Sequence, residues 1–297
     1  MLLSLAHALS GLLSRQLYPL LVGGSLGVFL YARSQGWALE PVVLASGVVS
    51  LALVLLLERW MPHRADWRRD PSNEPNDLRT DATSAAVLLA VVDPLLKAAL
   101  PVLAVVGLQA LPAWALLFPQ QAPFAVQVLL ALLWNELARY AVHRWHHERP
   151  ALWWLHAMHH GSTRLYWLNG LRFHPLNYAF NTAAALGPLW LLGAPAEVLL
   201  TVAAITQPVQ LVQHANVALR SGVWNRVFST TEVHRWHHSA RPAEANANYG
   251  SALVLWDQVF GTYLAPQAQG PQRIGLFGAS SAYPATAGYW RQLLSFM

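Results

Sequence analysis

The chain has 297 residues, of which 55% are hydrophobic and 11% charged, with 14 Trp, 19 Pro and no Cys. So few charges mark a membrane protein, and the lack of cysteine excludes disulfides, a thiol nucleophile, iron-sulfur clusters and thiolate-held metals. The net charge of +5 and pI near 9.8 then read as positive-inside arginines and contact with lipid headgroups, with no nucleic-acid partner.

Met1 to Leu13 lack a basic start and a cleavage site and predict an interfacial or buried helix. Apolar stretches at Leu17–Ala32, Pro41–Leu57, Ala82–Val106 and Pro123–Val142 match the length of a bilayer crossing. Asp93, Pro94 and Lys97 make the third the least regular. Tyr178–Val212 is equally apolar but is broken by Gly193-Ala194-Pro195, which predicts a hairpin that enters and returns to one side. Arg59, Arg64, Arg68, Arg69 and Arg79 put the loop after the second crossing in the cytoplasm, while the opposite loops hold little beyond Arg33. The fold class is therefore all-α and membrane-integral, with about four crossings, a membrane hairpin and a cytoplasmic, histidine-rich helical cap. Residues 1–142 form the transmembrane part, 143–265 the histidine-box region including hairpin 178–212, and 266–297 a tail. Compact loops and absent retrieval signals point to a bacterial inner membrane.

Eleven of 13 histidines lie between His143 and His238, and nine of them repeat one spacing, H-x-x-H-H. These are His143, His146 and His147; His156, His159 and His160; and His234, His237 and His238. On a helix, positions i, i+3 and i+4 share a face, so each group can aim two or three imidazoles at one point. A first-row metal ion takes four to six ligands, so the supply suits two ions. His214 and His174 are further candidate ligands; His7 and His63 fall outside the region. Without oxidative chemistry the same residues would make a membrane metal carrier or sensor, but the ionisable residues gather at one face and trace no path across the bilayer. Gly23-Gly24-Ser25-Leu26-Gly27 mimics a hydrolase elbow inside an apolar helix, and His147-Glu148-Arg149-Pro150 is a zincin start cut short by proline.

At these residues the chain resembles the fatty acid hydroxylase superfamily, in its sterol desaturase branch, over about Asn135 to Tyr263. The match rests on His143-Arg144-x-x-His147, His156-x-x-His159-His160, Arg172-Phe173-His174-Pro175, His214-Ala215-Asn216 and His234-Arg235-Trp236-His237-His238. It continues through Asn248-Tyr249-Gly250 to Trp256-Asp257-x-x-Phe260-Gly261-Thr262-Tyr263. The resemblance implies a membrane, non-haem di-iron enzyme that uses O2 to hydroxylate or desaturate an acyl chain or sterol-like lipid. It also implies that His143 and His147, not His146, are first-box ligands, a choice that spacing leaves open. The metal set is then His143, His147, His156, His159, His160, His174, His214, His234, His237 and His238. Glu136, Glu232 and Asp257 are candidate acceptors for the second N–H of a ligand imidazole, and Asn216 joins them in the catalytic set. Two departures stand out: Glu136 where many relatives carry Asp, and Asn246 where an acidic residue often precedes Asn-Tyr-Gly. Arg144, Arg164, Arg172 and Arg235 are candidates for an anionic headgroup or an acidic donor. The chain has no dinucleotide fingerprint and no cysteine for a cluster, so a ferredoxin or cytochrome must bring electrons.

Overall fold

The computed structural model describes residues 2–67, 76–109, 117–277 and 282–295, and among these it is helical with no strand beyond isolated bridges. Helix α1 (Leu2–Ser34) runs unbroken through Pro19, so the first dozen residues from Leu2 onward are the opening turns of the first long helix and not a separate element. Helix α2 (Leu39–Trp60) returns, α3 (Asp77–Val87) follows, and a π-helical turn at Leu88–Val92 joins it to α4 (Asp93–Gln109). The π turn has a local cause. Pro94 has no N–H to give the helical ladder, so the spacing slips by one residue just before it. Asp93, exposed to lipid if unpartnered, takes Lys97 at 2.6 Å and the Tyr178 hydroxyl at 3.0 Å.

Helix α5 (Phe124–Glu148) carries the first histidine box on its last two turns, and Pro150 at the first turn of α6 (Pro150–His160) bends the chain into the second. Helices α7 (Pro175–Leu191) and α8 (Ala196–Gln213) form the hairpin, turning at Gly193 with φ of +82°. The hairpin tip meets the loop before α5, through Phe118 N–H to Leu192 O at 2.9 Å and the Gln120 amide to Gly193 O at 2.7 Å. Glu197 at that tip pairs with Arg33 at the end of α1, 2.9 Å away. The hairpin therefore reaches the level where α1 ends and α5 begins. Short helices α9 (Thr231–His237), α10 (Pro242–Ala245), α11 (Leu255–Val259) and α12 (Tyr289–Leu293) complete the cap.

Three helical stretches among the described residues, Leu39–Trp60, Asp77–Leu103 and Phe124–Glu148, are long and apolar enough to cross a membrane; α1 is not one of them. Their outer faces carry Leu44, Val48, Val49, Leu95, Val102 and Leu103, a polarity that suits lipid. Arg59, Arg64 and Arg79 stand at the imidazole end of these helices and Arg33 at the other; Arg68 and Arg69 lie outside the described residues. The tail is built into the cap. Tyr283 and Tyr289 pack on Ala157 and Met158 of α6, and Gly275 N–H donates to His238 O at 3.1 Å.

Candidate metal centre

The three boxes do not each aim at one point. Each i, i+4 pair stays together, while the i+3 histidine turns to the neighbouring group or to none. His143 and His147 of α5, His156 and His160 of α6 and His237 of α9 form one set of convergent nitrogens. His159 of α6, His214 at the end of α8 and His234 and His238 of α9 form the other. In each set the ligand atoms lie within 4.8 Å of one another. Adjacent rings touch across the sets, with His160 stacked on His238 at 4.3 Å.

The outer ring nitrogens fix which face points inward. His143 Nδ1 hydrogen-bonds to Tyr249 O at 2.8 Å, His147 Nδ1 to Asn246 Oδ1 at 3.1 Å and His237 Nδ1 to Ala247 O at 2.8 Å. In the second set His159 Nδ1 meets Arg172 O at 3.1 Å and His214 Nδ1 meets Asn169 Oδ1 at 3.0 Å. A ring that donates from Nδ1 presents a lone pair at Nε2. The Nε2 atoms of His143 and His156 stand 3.0 Å apart, those of His156 and His160 3.2 Å, and those of His214 and His234 3.0 Å. His147 Nε2 and His237 Nε2 are buried with no hydrogen-bond partner. The Nδ1 atoms of His156, His160, His234 and His238 are buried without a partner too, and so many unsatisfied ring nitrogens crowded together are costly unless cations lie among them. Five and four neutral nitrogen donors therefore fit two first-row metal ions. Burial pushes His159 and His237 down to about 3, and holds His156, His160, His214, His234 and His238 well below the ordinary histidine range. These imidazoles are neutral at pH 7, as metal ligation requires.

Local chain geometry explains the anchors. Asn248 sits at φ +57°, its side chain holding Leu264 N–H at 2.8 Å, and turns the Tyr249 carbonyl toward His143. Next to it only glycine fits, since a Cβ at Gly250 would lie 2.3 Å from Leu253 O. Asp257 accepts from Tyr249 N, Gly250 N and Thr262 Oγ1 at 2.7–2.8 Å, and burial pushes its carboxyl up to about 6 despite them. Glu136 takes Ala252 N and Leu253 N at 2.8 and 2.7 Å and so ties the same loop to α5. Neither carboxylate meets a ligand imidazole directly. Glu232 accepts from Ser221 N at 2.7 Å, and Asn216 exchanges hydrogen bonds with the Arg64 backbone at 2.8–2.9 Å. The three predicted acceptors and Asn216 all brace loops behind the imidazoles.

His174 stands outside both sets. Its Nδ1 caps α7 by accepting from Leu176 N at 3.1 Å, and its Nε2 reaches Leu293 O at 3.3 Å. His146 is also outside, with Nδ1 on Val142 O at 2.7 Å. The Arg172 guanidinium is enclosed by Asp77 and Asp81, and Arg164 pairs with Asp77 at 3.0 Å, so both serve an internal ion cluster. Asp77, Asp81 and Ser84 form an i, i+4, i+7 polar stripe on α3; Ser84 Oγ receives Phe173 N–H at 3.0 Å and donates to Leu171 O at 2.8 Å. This stripe holds the segment that presents Arg172 O to His159 and Asn169 to His214. Asn169, Asp77 and Asp81 lie outside the boxes in sequence, and on α3, which also carries Arg79, Thr80 and Thr83, the stripe does not stand out by composition.

The comparisons agree with this geometry. The model of the fatty acid hydroxylase family matches residues 128–262. An ornithine lipid hydroxylase, OlsE, of Rhizobium tropici is 36% identical over 268 residues, 89% of this chain and 80% of that one. Alkylglycerol monooxygenases of Caenorhabditis elegans and Danio rerio are 27% and 30% identical over 50% and 47% of this chain, and the match takes in 29% and 30% of their own lengths. No solved structure matches. With the boxes, the membrane helices and this extended similarity together, the chain belongs to the fatty acid hydroxylase family.

Proposed function

We propose that the chain is an O2-dependent hydroxylase of a membrane lipid, with two irons held by the nine converging imidazoles. The observation that carries the reading is the pair of convergent imidazole sets, with His147 Nε2 and His237 Nε2 buried and lacking any partner. When bound, the irons supply the O2-dependent redox chemistry needed to attack an unactivated C–H bond, which no side chain here can supply. The protein's own part is positional. Nδ1 anchors fix the ring planes, and Trp153 and Phe277, whose rings lie 5.0 and 6.4 Å from that of His147, flank the first set on one side. Hydroxylation is favoured over desaturation because the relatives are named as hydroxylase and monooxygenases, and an aminolipid is the favoured substrate class because the most extensively aligned of them is named for one. Electrons come from a separate ferredoxin or cytochrome, since the chain has no cysteine for a cluster. Arg59, Arg64 and Arg79 at the imidazole end support a cytoplasmic orientation of that end, in a bacterial inner membrane on this reading.

The test is metal analysis with Mössbauer spectroscopy on detergent-purified protein from iron-57-fed cells, beside lipid mass spectrometry of cells with and without the gene. Two coupled irons per chain and a lipid gaining one oxygen are expected. Stoichiometric zinc that Fe(II) does not replace, with an unchanged lipid profile, would refute the proposal.

A further inference from the structure

Arg235 lies between His234 and His237 on α9, and only 5% of it is exposed. Its Nε and Nη2 atoms are buried with no hydrogen-bond partner. Those two N–H groups form the edge of a guanidinium that grips a phosphate or carboxylate through two parallel hydrogen bonds. Arg172, as deeply buried, has that need met by Asp77 and Asp81; Arg235 does not. Glu232, one turn earlier on α9, attracts Arg235 from a distance but gives its carboxylate to Ser221 N–H at 2.7 Å. Burial pulls the guanidinium down only to about 10, so it is a cation at pH 7, and the neutral imidazoles on either side offer no counter-charge. A buried cation without a bonded anion is costly.

The surroundings of Arg235 complete a cleft. Gly270, at φ +67°, turns the tail back over it, and a Cβ at that position would stand 3.5 Å from Arg235 Cδ and 3.9 Å from His63 Nε2. His63 and Gly270 are both partly exposed and form the mouth. Burial, with Arg235 and Arg64 beside it, pushes His63 down to about 4, so its ring is neutral and has one N–H to give. His63 comes three residues after Trp60, the exposed last residue of membrane-spanning α2, which sets the mouth at the level of lipid headgroups.

We infer that the cleft between His63, Arg235 and Gly270 is an oxyanion site that holds the phosphate of an anionic membrane lipid, gripped by the Nε and Nη2 edge of Arg235 and by a ring N–H of His63. Free phosphate shares this chemistry; the headgroup level favours the lipid. Once filled, the site ties the end of α2 to α9, the helix that gives His237 to one imidazole set and His234 and His238 to the other. Binding there requires no turnover and so stands whether or not the chain oxidises lipid.

The experiment takes the full chain in non-ionic detergent and titrates it with phosphatidylglycerol, with diacylglycerol of the same chains and with inorganic phosphate, reading adducts by native mass spectrometry and stability by a thermal melt. Phosphatidylglycerol is expected to bind about tenfold more tightly than diacylglycerol and to raise the melting temperature by about 2–4 °C, and Arg235→Gln to lose both effects. A second pair of variants leaves Arg235 in place. Gly270→Asp sets a carboxylate over the guanidinium, at a positive φ that Asp and Asn tolerate better than other side chains, and Gly270→Asn matches its size and strain without the charge. Without lipid the Asp variant should melt above the Asn variant; with phosphatidylglycerol only the Asn variant should gain. Equal melting and equal response of these two variants, an unchanged lipid preference in Arg235→Gln, or wild-type binding of diacylglycerol as tight as that of phosphatidylglycerol would each overturn the site. Stabilisation by inorganic phosphate and none by phosphatidylglycerol would overturn the lipid as its occupant.

Discussion

The two imidazole sets differ in what surrounds them. The first is half open: His143 and His147 are partly exposed, and its outer nitrogens lean on the 246–249 loop. The second is fully buried and leans on the 164–172 segment, which the Arg172, Asp77 and Asp81 cluster clamps to α3. An open set supported by a loop has room for reactants and tolerates adjustment. A closed set supported by buried ions has neither, so the same substitution should cost more there.

The largest contrast is between His159→Ala and His147→Ala. Removing His159 takes one of four buried ligands and should eliminate both metal and turnover; removing His147 takes one of five at the open edge and should leave measurable metal while turnover falls. Metal content by mass spectrometry beside lipid oxidation decides this, and equal retention of metal in the two variants would break the contrast. Next in size is Arg172→Met, which takes the guanidinium from buried Asp81 and leaves Asp77 with Arg164 alone, and should cost about 3–5 kcal/mol. A thermal or denaturant melt of the metal-free chain is the readout, with a loss under about 1 kcal/mol counting against the clamp.

Acid should act on both sets alike. In the metal-free protein the cap imidazoles have folded pKa values far below the unfolded value near 6.5, so stability is intact above that value and falls as the pH drops through it. At pH 6 unfolding should take up on the order of five protons from the seven imidazoles of the cap that face the two sets. Calorimetry in buffers of different ionisation enthalpy measures the uptake. Near-zero uptake would mean that the folded rings are already charged.

Much of this was legible in the residues, and the reason is helical geometry. A box spaced i, i+3, i+4 announces itself without tertiary knowledge, and so does the Gly193-Ala194-Pro195 turn. Spacing stops short of tertiary contacts, however. Whether an i+3 histidine joins its own pair, crosses to the neighbouring set as His159 and His237 do, or drops out as His146 does depends on how the helices pack. The acids nearest the boxes in sequence, Glu136 and Glu232, bond to backbone N–H groups, while Arg172, whose carbonyl holds His159, is clamped by Asp77 and Asp81 from more than 90 residues away. Composition divides the first long helix, because Met1–Leu13 lacks the apolar density of Leu17–Ala32, yet nothing between Leu2 and Ser34 interrupts the backbone ladder.

Two asparagines allow the comparison to be tuned one set at a time. Asn169→Ala removes the acceptor for His214 Nδ1 from a fully buried position and should weaken metal binding about 10–100-fold. Asn246→Asp should have the smallest effect and the opposite sign. Asn246 is exposed, so a new carboxylate there stays hydrated, and its oxygen already lies 3.1 Å from His147 Nδ1. Replacing an amide acceptor by a charged one strengthens that hydrogen bond and makes the imidazole a better donor to metal. Metal competition with a chelator should show one class of ion held a few-fold more tightly and the other unchanged. If both classes tighten together, the two sets respond as a single unit and the contrast between an adjustable and a clamped half is lost; if neither moves, His147 is not oriented by residue 246.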